Sequence, residues 1–127
     1  MKLLLQQYLA IGVAGFVGAI SRVAVASIFG RLNIRFPLGT LFINVSGSLF
    51  LGWFLTFATD RYPVSDTTRL AIGAGFVGAY TTFSTFMFES NRLADDGAGL
   101  EALLNLLGSL ALGLIAVRLG IAIARRT

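Results

Sequence analysis

Four hydroxyl side chains alternate with two phenylalanines in one apolar segment, and these are the groups of the chain best suited to bind an ion. Residues 73–89 read GAGFVGAYTTFSTFMFE. Hydroxyl groups donate hydrogen bonds, and the edges of aromatic rings carry partial positive charge, so both favour an anion. The hydroxyls belong to Thr81, Thr82, Ser84 and Thr85, and the rings to Phe83 and Phe86. The segment therefore predicts a polar lining inside an otherwise apolar stretch.

Glycines crowd the first half of the same segment and weaken it as a helix. Gly73, Gly75 and Gly78 each cost about 1 kcal/mol of helix stability relative to alanine. A helix broken near Gly78 leaves free backbone carbonyls and amides in its middle, and such groups bind ions where they line a cavity. Carbonyl oxygens favour a cation, whereas amides and hydroxyls favour an anion. From these residues alone, both kinds of site stay open.

Three more neutral hydrogen-bonding side chains, Asn44, Asn105 and Ser109, lie in other apolar segments. Helical periodicity places Asn44 among small and polar side chains, opposite an arc of bulky apolar ones. Inside a membrane its amide needs partners, because an unpaired polar group there costs several kcal/mol. A hydrogen bond to a neighbouring helix and a donor in a pore both meet that need, and the spacing favours neither.

The composition excludes most other chemistry. The 127 residues are 56% hydrophobic and 13% charged, which is typical of a membrane protein. Cysteine and histidine are absent, so disulfides, thiolate metal sites and the usual general base are excluded, and an enzyme is not expected. The net charge of +4 comes from scattered basic residues, which does not indicate nucleic-acid binding. All acidic residues lie in connections or near helix ends, which leaves a proton-coupled carrier without a proton site: Asp60, Asp66, Glu89, Asp95, Asp96 and Glu101.

Four long apolar runs supply the elements that must position these side chains. They cover residues 3–21, 36–59, 70–88 and 102–117, and the last resumes after Arg118. A bilayer core needs about 20 helical residues, so we predict four transmembrane helices in a single domain over residues 1–127. Arg118 is expected to snorkel to the interface. Arg22, near the end of the first helix, is interpreted in the same way, as reaching the headgroups.

Basic residues divide weakly between the two sides of the predicted bundle. One side carries Lys2, Arg61, Arg69, Arg125 and Arg126, and the other carries Arg31, Arg35 and Arg92. An excess of Lys and Arg marks the cytoplasmic side of a membrane protein. The excess is small in this chain, so the orientation stays undecided, and insertion in both orientations stays open.

Three motifs together resemble the Fluc (CrcB) fluoride channels of microorganisms. They are GxxGxxTTFSTF over residues 75–86, GTLFIN over residues 39–44 and GAISR over residues 18–22. The resemblance extends over the whole chain. It implies a fluoride-selective channel of the bacterial inner membrane, which exports F⁻ passively from the cytoplasm and relieves fluoride toxicity. It also implies an all-α, antiparallel, dual-topology homodimer with a broken third helix and two pores.

The same resemblance assigns roles to individual residues. The backbone carbonyls of Gly78 and Thr81 would hold a structural Na⁺ at the dimer centre. Arg22 would be structural, and Glu89 matches a family position but is not assigned to the pore. Many members of the family carry a tyrosine near the position of Glu101, so the fourth helix departs from the family pattern. The implied lining of the fluoride pore is Asn44, Phe83, Phe86, Ser84 and Thr85, with Asn105 and Ser109 on the fourth helix.

Two other functions are compatible with four small transmembrane helices. A multidrug exporter of this size needs an acidic residue inside its first helix, and residues 3–21 contain none. A non-transporting subunit of a membrane assembly would use Asn44 and the hydroxyls only to bind neighbouring helices. The sequence pattern does not separate this second function from a channel, whereas a measurement of fluoride flux does.

Overall fold

Helices are the only regular secondary structure in the computed structural model, which describes residues 1–127. The first helix, α1, is Lys2–Gly30, and α2 is Leu38–Thr56, continued by a π-helical turn at Phe57–Arg61. The third span has two parts: α3 joins Asp66–Leu70, the π-helical Ala71–Val77 and Gly78–Tyr80, and α4 is Phe83–Asp95. The last helix, α5, is Gly99–Arg126. With Asp66–Asp95 taken as one span, four spans are long and apolar enough to cross a membrane, which confirms the predicted all-α membrane protein.

Local signals in the sequence set where these helices begin. Pro37 is the N-cap residue of α2, and proline is tolerated there because it lacks only an N–H that the first turn leaves unpaired. The Ser65 hydroxyl accepts a hydrogen bond from the Thr68 N–H at 3.1 Å and caps α3, as its residue type predicts. The turn between α4 and α5 contains Gly97 at φ +78°, a conformation that glycine adopts without strain.

Glycines let the helices approach closely in two pairs. Between α1 and α3, a methyl group on Gly18 would clash with the carbonyl oxygen of Phe76, and one on Gly75 would lie 2.7 Å from the carbonyl oxygen of Ile11. Between α2 and α5, a methyl group on Gly52 would lie 2.6 Å from a backbone oxygen of α5. Lipid offers no hydrophobic drive for helix association, so such backbone-to-backbone packing is a main source of stability.

Large apolar side chains remain on the outer surface of the bundle. Phe16 is 68% exposed, Leu107 58% and Leu114 69%. In water such a surface would be unstable, but acyl chains or another subunit can cover it.

The helical path of the third span is interrupted at two threonines. Thr81 has φ −79° and ψ 158°, and Thr82 has φ −149° and ψ 115°, so both have extended backbone. The helix resumes because the Thr82 hydroxyl accepts the Thr85 N–H at 3.2 Å and acts as the N-cap of α4. Phe83 and Phe86 both follow the interruption, three positions apart on α4, and Phe83 is 72% exposed whereas Phe86 is 5% exposed. The sequence pointed to Gly78, three positions before the interruption.

Candidate functional site

A cavity of about 410 Å³ lies beside the interrupted backbone, between α2, α4 and α5. It gathers several of the side chains that the sequence singled out from distant positions. Five residues assigned to ion binding line it: Asn44, Thr81, Phe83, Phe86 and Ser109. Four others do not line it: Gly78, Ser84, Thr85 and Asn105. The structure thus brings one part of the predicted site together and places the other part elsewhere.

The Asn44 amide clamps the interrupted backbone. Its Nδ2 donates to the Thr82 carbonyl oxygen at 3.0 Å, and its Oδ1 accepts the Thr82 N–H at 2.8 Å. These reciprocal bonds fix which way the amide points, because only Oδ1 can accept the N–H. One of the two Nδ2 hydrogens is then free for a ligand. Asn44 therefore combines the two roles that its position in the sequence left open.

Ser48 also lines the cavity, and its hydroxyl makes no hydrogen bond within the chain. It lies one helical turn from Asn44 on α2, so both side chains lie on the same face. Other helical serines of the protein, such as Ser21 and Ser27, donate to the carbonyl four residues earlier. Ser48 was not among the residues predicted for the site. Its four-residue spacing from Asn44 was the available signal.

Phe83 and Phe86 form an edge-to-face pair at one wall of the cavity. Their ring centroids are 6.1 Å apart, and their planes meet at 64°. This geometry brings the positive edge of one ring toward the negative face of the other. Phe86 is buried in the core of the helical bundle, whereas Phe83 is exposed on its outer surface.

Ser84 and Thr85 lie on the exposed side of α4. The Ser84 hydroxyl makes no hydrogen bond within the chain, and the Thr85 hydroxyl accepts one from the Thr82 hydroxyl at 3.0 Å. The hydroxyl hydrogens of Ser84 and Thr85 are therefore free to donate. Both hydroxyls face outward from a membrane-spanning segment, where acyl chains offer no hydrogen-bond partner.

Asn105 is buried between helices rather than in the cavity. Its Nδ2 donates to the Ser90 hydroxyl at 2.9 Å, and the Ser90 hydroxyl donates to the Phe86 carbonyl oxygen at 2.7 Å. Its Oδ1 accepts from the Ser109 hydroxyl at 3.4 Å. Ser90 was not predicted for the site, because no motif or periodicity set this serine apart from the polar residues that follow it.

Two backbone carbonyls near the interruption lack their usual helical partners. In a regular helix the Thr82 N–H would donate to the Gly78 carbonyl oxygen. It donates to Asn44 instead, so the Gly78 carbonyl is left without its helical partner. The Thr81 N–H donates to Val77 at 2.9 Å, and the Thr81 carbonyl accepts no hydrogen bond within the chain. Carbonyl oxygens are hard ligands that suit a cation such as Na⁺.

A second cavity of about 260 Å³ opens at the end of the bundle where α4 meets the connection between α1 and α2. Charged and polar side chains line it: Arg35, Thr40, Glu89, Arg92 and Asp96. Thr40 precedes Asn44 by one turn of α2, and Glu89 follows Phe86 by about one turn of α4. The two cavities are therefore neighbours along the same pair of helices.

Arg35 ties the connection between α1 and α2 to the other side of this second cavity. Its Nη2 donates to the Asp96 carbonyl oxygen at 3.2 Å, and its Nε lies 3.9 Å from a Glu101 carboxylate oxygen. Glu101 thus lies at the rim of the charged cavity and not in the larger one. The Glu89 Oε2 atom is buried and accepts no hydrogen bond within the chain. The Arg22 guanidinium makes no hydrogen bond or ion pair within the chain, and the structural role of Arg22 stays a prediction.

The chain is similar to one protein-family model and to several known proteins. A family model described as CrcB-like protein, Camphor Resistance (CrcB), matches residues 9–121. A protein of Acidobacterium capsulatum described as the fluoride-specific ion channel FluC is 45% identical over 121 residues, which are 94% of this chain and 97% of that relative. A protein of Moorella thermoacetica described as fluoride-specific ion channel FluC 2 is 44% identical over 114 residues, 89% of this chain and 92% of that relative.

One further relative is longer than this chain. The FluC protein of Methylococcus capsulatus is 45% identical over 118 residues, 92% of this chain. The match covers 52% of that relative, so the chain spans about half its length.

Proposed function

The chain belongs to the CrcB family, and from that premise we propose that it is a fluoride channel. It is a multi-pass protein of the bacterial inner membrane. The observation that carries the proposal is the cavity of about 410 Å³, where the amide of Asn44 and the hydroxyl of Ser48 are free to donate beside Phe86. These groups are neutral donors, which suit a small anion and require no proton transfer.

The channel needs no energy source of its own, because the membrane potential and the accumulated fluoride drive export. Fluoride enters as neutral HF, ionises at neutral pH and accumulates. A potential of 100 mV, negative inside, favours outward movement of one negative charge by about 2.3 kcal/mol, a concentration ratio of about fifty. A passive pore is then sufficient for export. This mechanism fits a chain in which no acidic residue lies in the larger cavity.

Two copies of the chain form an antiparallel homodimer with two pores. Ser84 and Thr85 support this arrangement, because their free hydroxyl hydrogens lie on an exposed face of a membrane helix. Polar groups facing hydrocarbon are costly, and a second copy offers them partners or an ion path. Phe83, 72% exposed, lies on the same half of the third span and completes the pore lining in the dimer.

The carbonyl oxygens of Gly78 and Thr81 from both subunits would hold a structural Na⁺ at the centre of that dimer. The fit rests on the missing helical hydrogen bonds at these two carbonyls. Such a cation would supply the positive charge that lets the facing carbonyl dipoles of the two subunits lie close together. Asn44 contributes by drawing the Thr82 N–H away from the Gly78 carbonyl.

Flux from liposomes tests the function. The purified protein is reconstituted in KF-loaded liposomes with valinomycin, and external F⁻ is followed with an electrode. We expect fast efflux of F⁻ and none of Cl⁻ from matched KCl liposomes. Well-folded protein without F⁻ efflux would contradict the channel and favour the non-transporting subunit.

Labelling tests the dual topology separately. The chain contains no cysteine, so Thr127→Cys gives a single label site at the C-terminus. In intact vesicles we expect about half of these cysteines to react with a membrane-impermeant maleimide, and the other half only after permeabilisation. Labelling from one side alone would contradict antiparallel insertion.

A further inference from the structure

Asn105 is the most deeply buried polar side chain of the protein, with 1% of its surface exposed. Its neighbours on α5 face outward, since Leu103, Leu104 and Leu107 are all exposed. An amide buried to this degree needs partners for both its nitrogen and its oxygen. The identity of those partners therefore defines what Asn105 does.

The direction of the hydrogen bonds follows from the number of hydrogens available. Ser90 has one hydroxyl hydrogen and donates it to the Phe86 carbonyl oxygen, so its oxygen accepts from the Asn105 nitrogen. The amide nitrogen of Asn105 thus points to α4, and its oxygen points to the Ser109 hydroxyl. Ser90 is itself only 4% exposed, so water does not replace either bond.

Both ends of this hydrogen-bonded series reach the larger cavity, and its middle does not. Phe86 and Ser109 line the cavity, whereas Asn105 and Ser90 are absent from its wall. Asn105 therefore acts on the cavity only through the residues to which it is bonded.

We infer that Asn105 is a positioning residue of the pore, which fixes the turn of α4 carrying Phe86 through Ser90 and does not contact the ion. Its amide ties α5 to α4 one turn beyond Phe86, so the ring keeps its place in the cavity wall. The Asn105 Oδ1 atom also accepts the Ser109 hydroxyl hydrogen. Ser109 therefore donates to an anion only when this hydrogen bond to Asn105 breaks. The effect on fluoride passage rests on the proposed function, whereas the effect on Phe86 does not.

A double-mutant cycle tests the connection. Asn105→Ala, Ser90→Ala and the double variant are compared for F⁻ efflux from KF-loaded liposomes. We expect each single variant to lower the efflux rate by the same factor and the double variant to lower it no further. Equality is judged within about twofold, the scatter found for independent sites. A double variant whose loss is the product of the two single losses would overturn the inference.

Conservative variants keep the test decisive if an alanine variant fails to assemble. Ser90→Thr keeps both the donor and the acceptor, and we expect wild-type efflux. Asn105→Asp has nearly the same shape but no N–H to donate, and we expect the loss seen with Ser90→Ala. Ser27→Ala is the matched control, because Ser27 donates to the carbonyl of Val23 in the same way at an exposed position. Wild-type efflux in Asn105→Asp would also overturn the inference.

A spectroscopic reporter separates this inference from the proposed function. With 4-fluorophenylalanine at position 86, Asn105→Ala and Ser90→Ala should move the ¹⁹F resonance by the same amount, and Ser27→Ala should not move it. Those shifts together with no F⁻ efflux from the wild type would reject the channel and retain the positioning role. Normal wild-type efflux with an unmoved ¹⁹F resonance in Asn105→Ala would reject the positioning role.

Discussion

Replacing Asn44 with alanine should destabilise the subunit as well as block fluoride. The change removes both hydrogen bonds to the Thr82 backbone and leaves the N–H and C=O of Thr82 unpaired in a buried position. Each buried polar group left unpaired costs about 1–3 kcal/mol, so the free energy of unfolding should fall by about 2–6 kcal/mol. Fluoride efflux should fall as well, because the free N–H of Asn44 is lost with the rest of the amide.

Two comparison variants test whether the loss of unfolding free energy comes from the hydrogen bonds of Asn44. Asn44→Asp still accepts the Thr82 N–H but cannot donate to the Thr82 carbonyl, so about half of the loss is expected, roughly 1–3 kcal/mol. Asn91→Ala removes an exposed asparagine whose Nδ2 donates to Asp95 at 2.8 Å, and it should change the unfolding free energy by less than about 0.5 kcal/mol.

The assay is SDS-induced unfolding in dodecyl maltoside micelles, at one protein concentration because the stability of any oligomer depends on that concentration. F⁻ efflux is measured on the same preparations. If Asn44→Ala unfolded at the same SDS fraction as Asn91→Ala while efflux was lost, Asn44 would be only a pore donor. The two hydrogen bonds between Asn44 and Thr82 would then contribute nothing to the stability of the protein, contrary to the prediction.

Four further outcomes follow from the structure. Phe86→Ile should lower F⁻ efflux and, because the ring is buried, should also lower the unfolding free energy by about 1–3 kcal/mol. Phe83→Ile should lower efflux alone, because its ring is exposed. Equal losses of unfolding free energy in the two variants would contradict this difference. Ser48→Ala should reduce F⁻ efflux without changing the unfolding free energy, since its hydroxyl has no partner within the chain, and unchanged efflux would remove Ser48 from the site. Gly120→Ala should impair folding because a methyl group there would clash with the backbone of α2. Gly12→Ala is the matched control: its methyl group meets open space, so it should stabilise its helix by about 1 kcal/mol. SDS unfolding of both variants checks this difference. Exhaustive exchange of Na⁺ for N-methyl-D-glucamine should slow F⁻ efflux or separate the dimer, and unchanged efflux and dimer content would count against the central cation.

The spans themselves were predictable from the sequence. The apolar runs are as long as a bilayer core requires, and charges occur mainly where they end, so length and composition located four helices. The cap at Ser65 was predictable for a similar reason, because it depends on residues only three positions apart. The weakness of the third span was also visible, although Gly78 pointed to a position slightly too early.

The rotation of α4 was not predictable from periodicity. A helical wheel assumes a constant turn per residue, and the extended backbone at Thr81 and Thr82 ends that regularity. The interruption lies at the threonines because the Asn44 amide replaces helical hydrogen bonds there. That partner lies 38 positions away in the sequence, which no local propensity describes.

By itself, the sequence determined an all-helical membrane protein and an inventory of neutral donors without any acidic residue at mid-membrane. Tertiary structure alone decided which of those donors are free. Asn44 keeps one N–H because Thr82 takes its other groups, Asn105 is turned away from the cavity by Ser90, and Ser48 is left without a partner. The reason is physical: each hydrogen and lone pair serves one bond at a time. What remains for an ion is therefore set by neighbours that come together only when the helices pack.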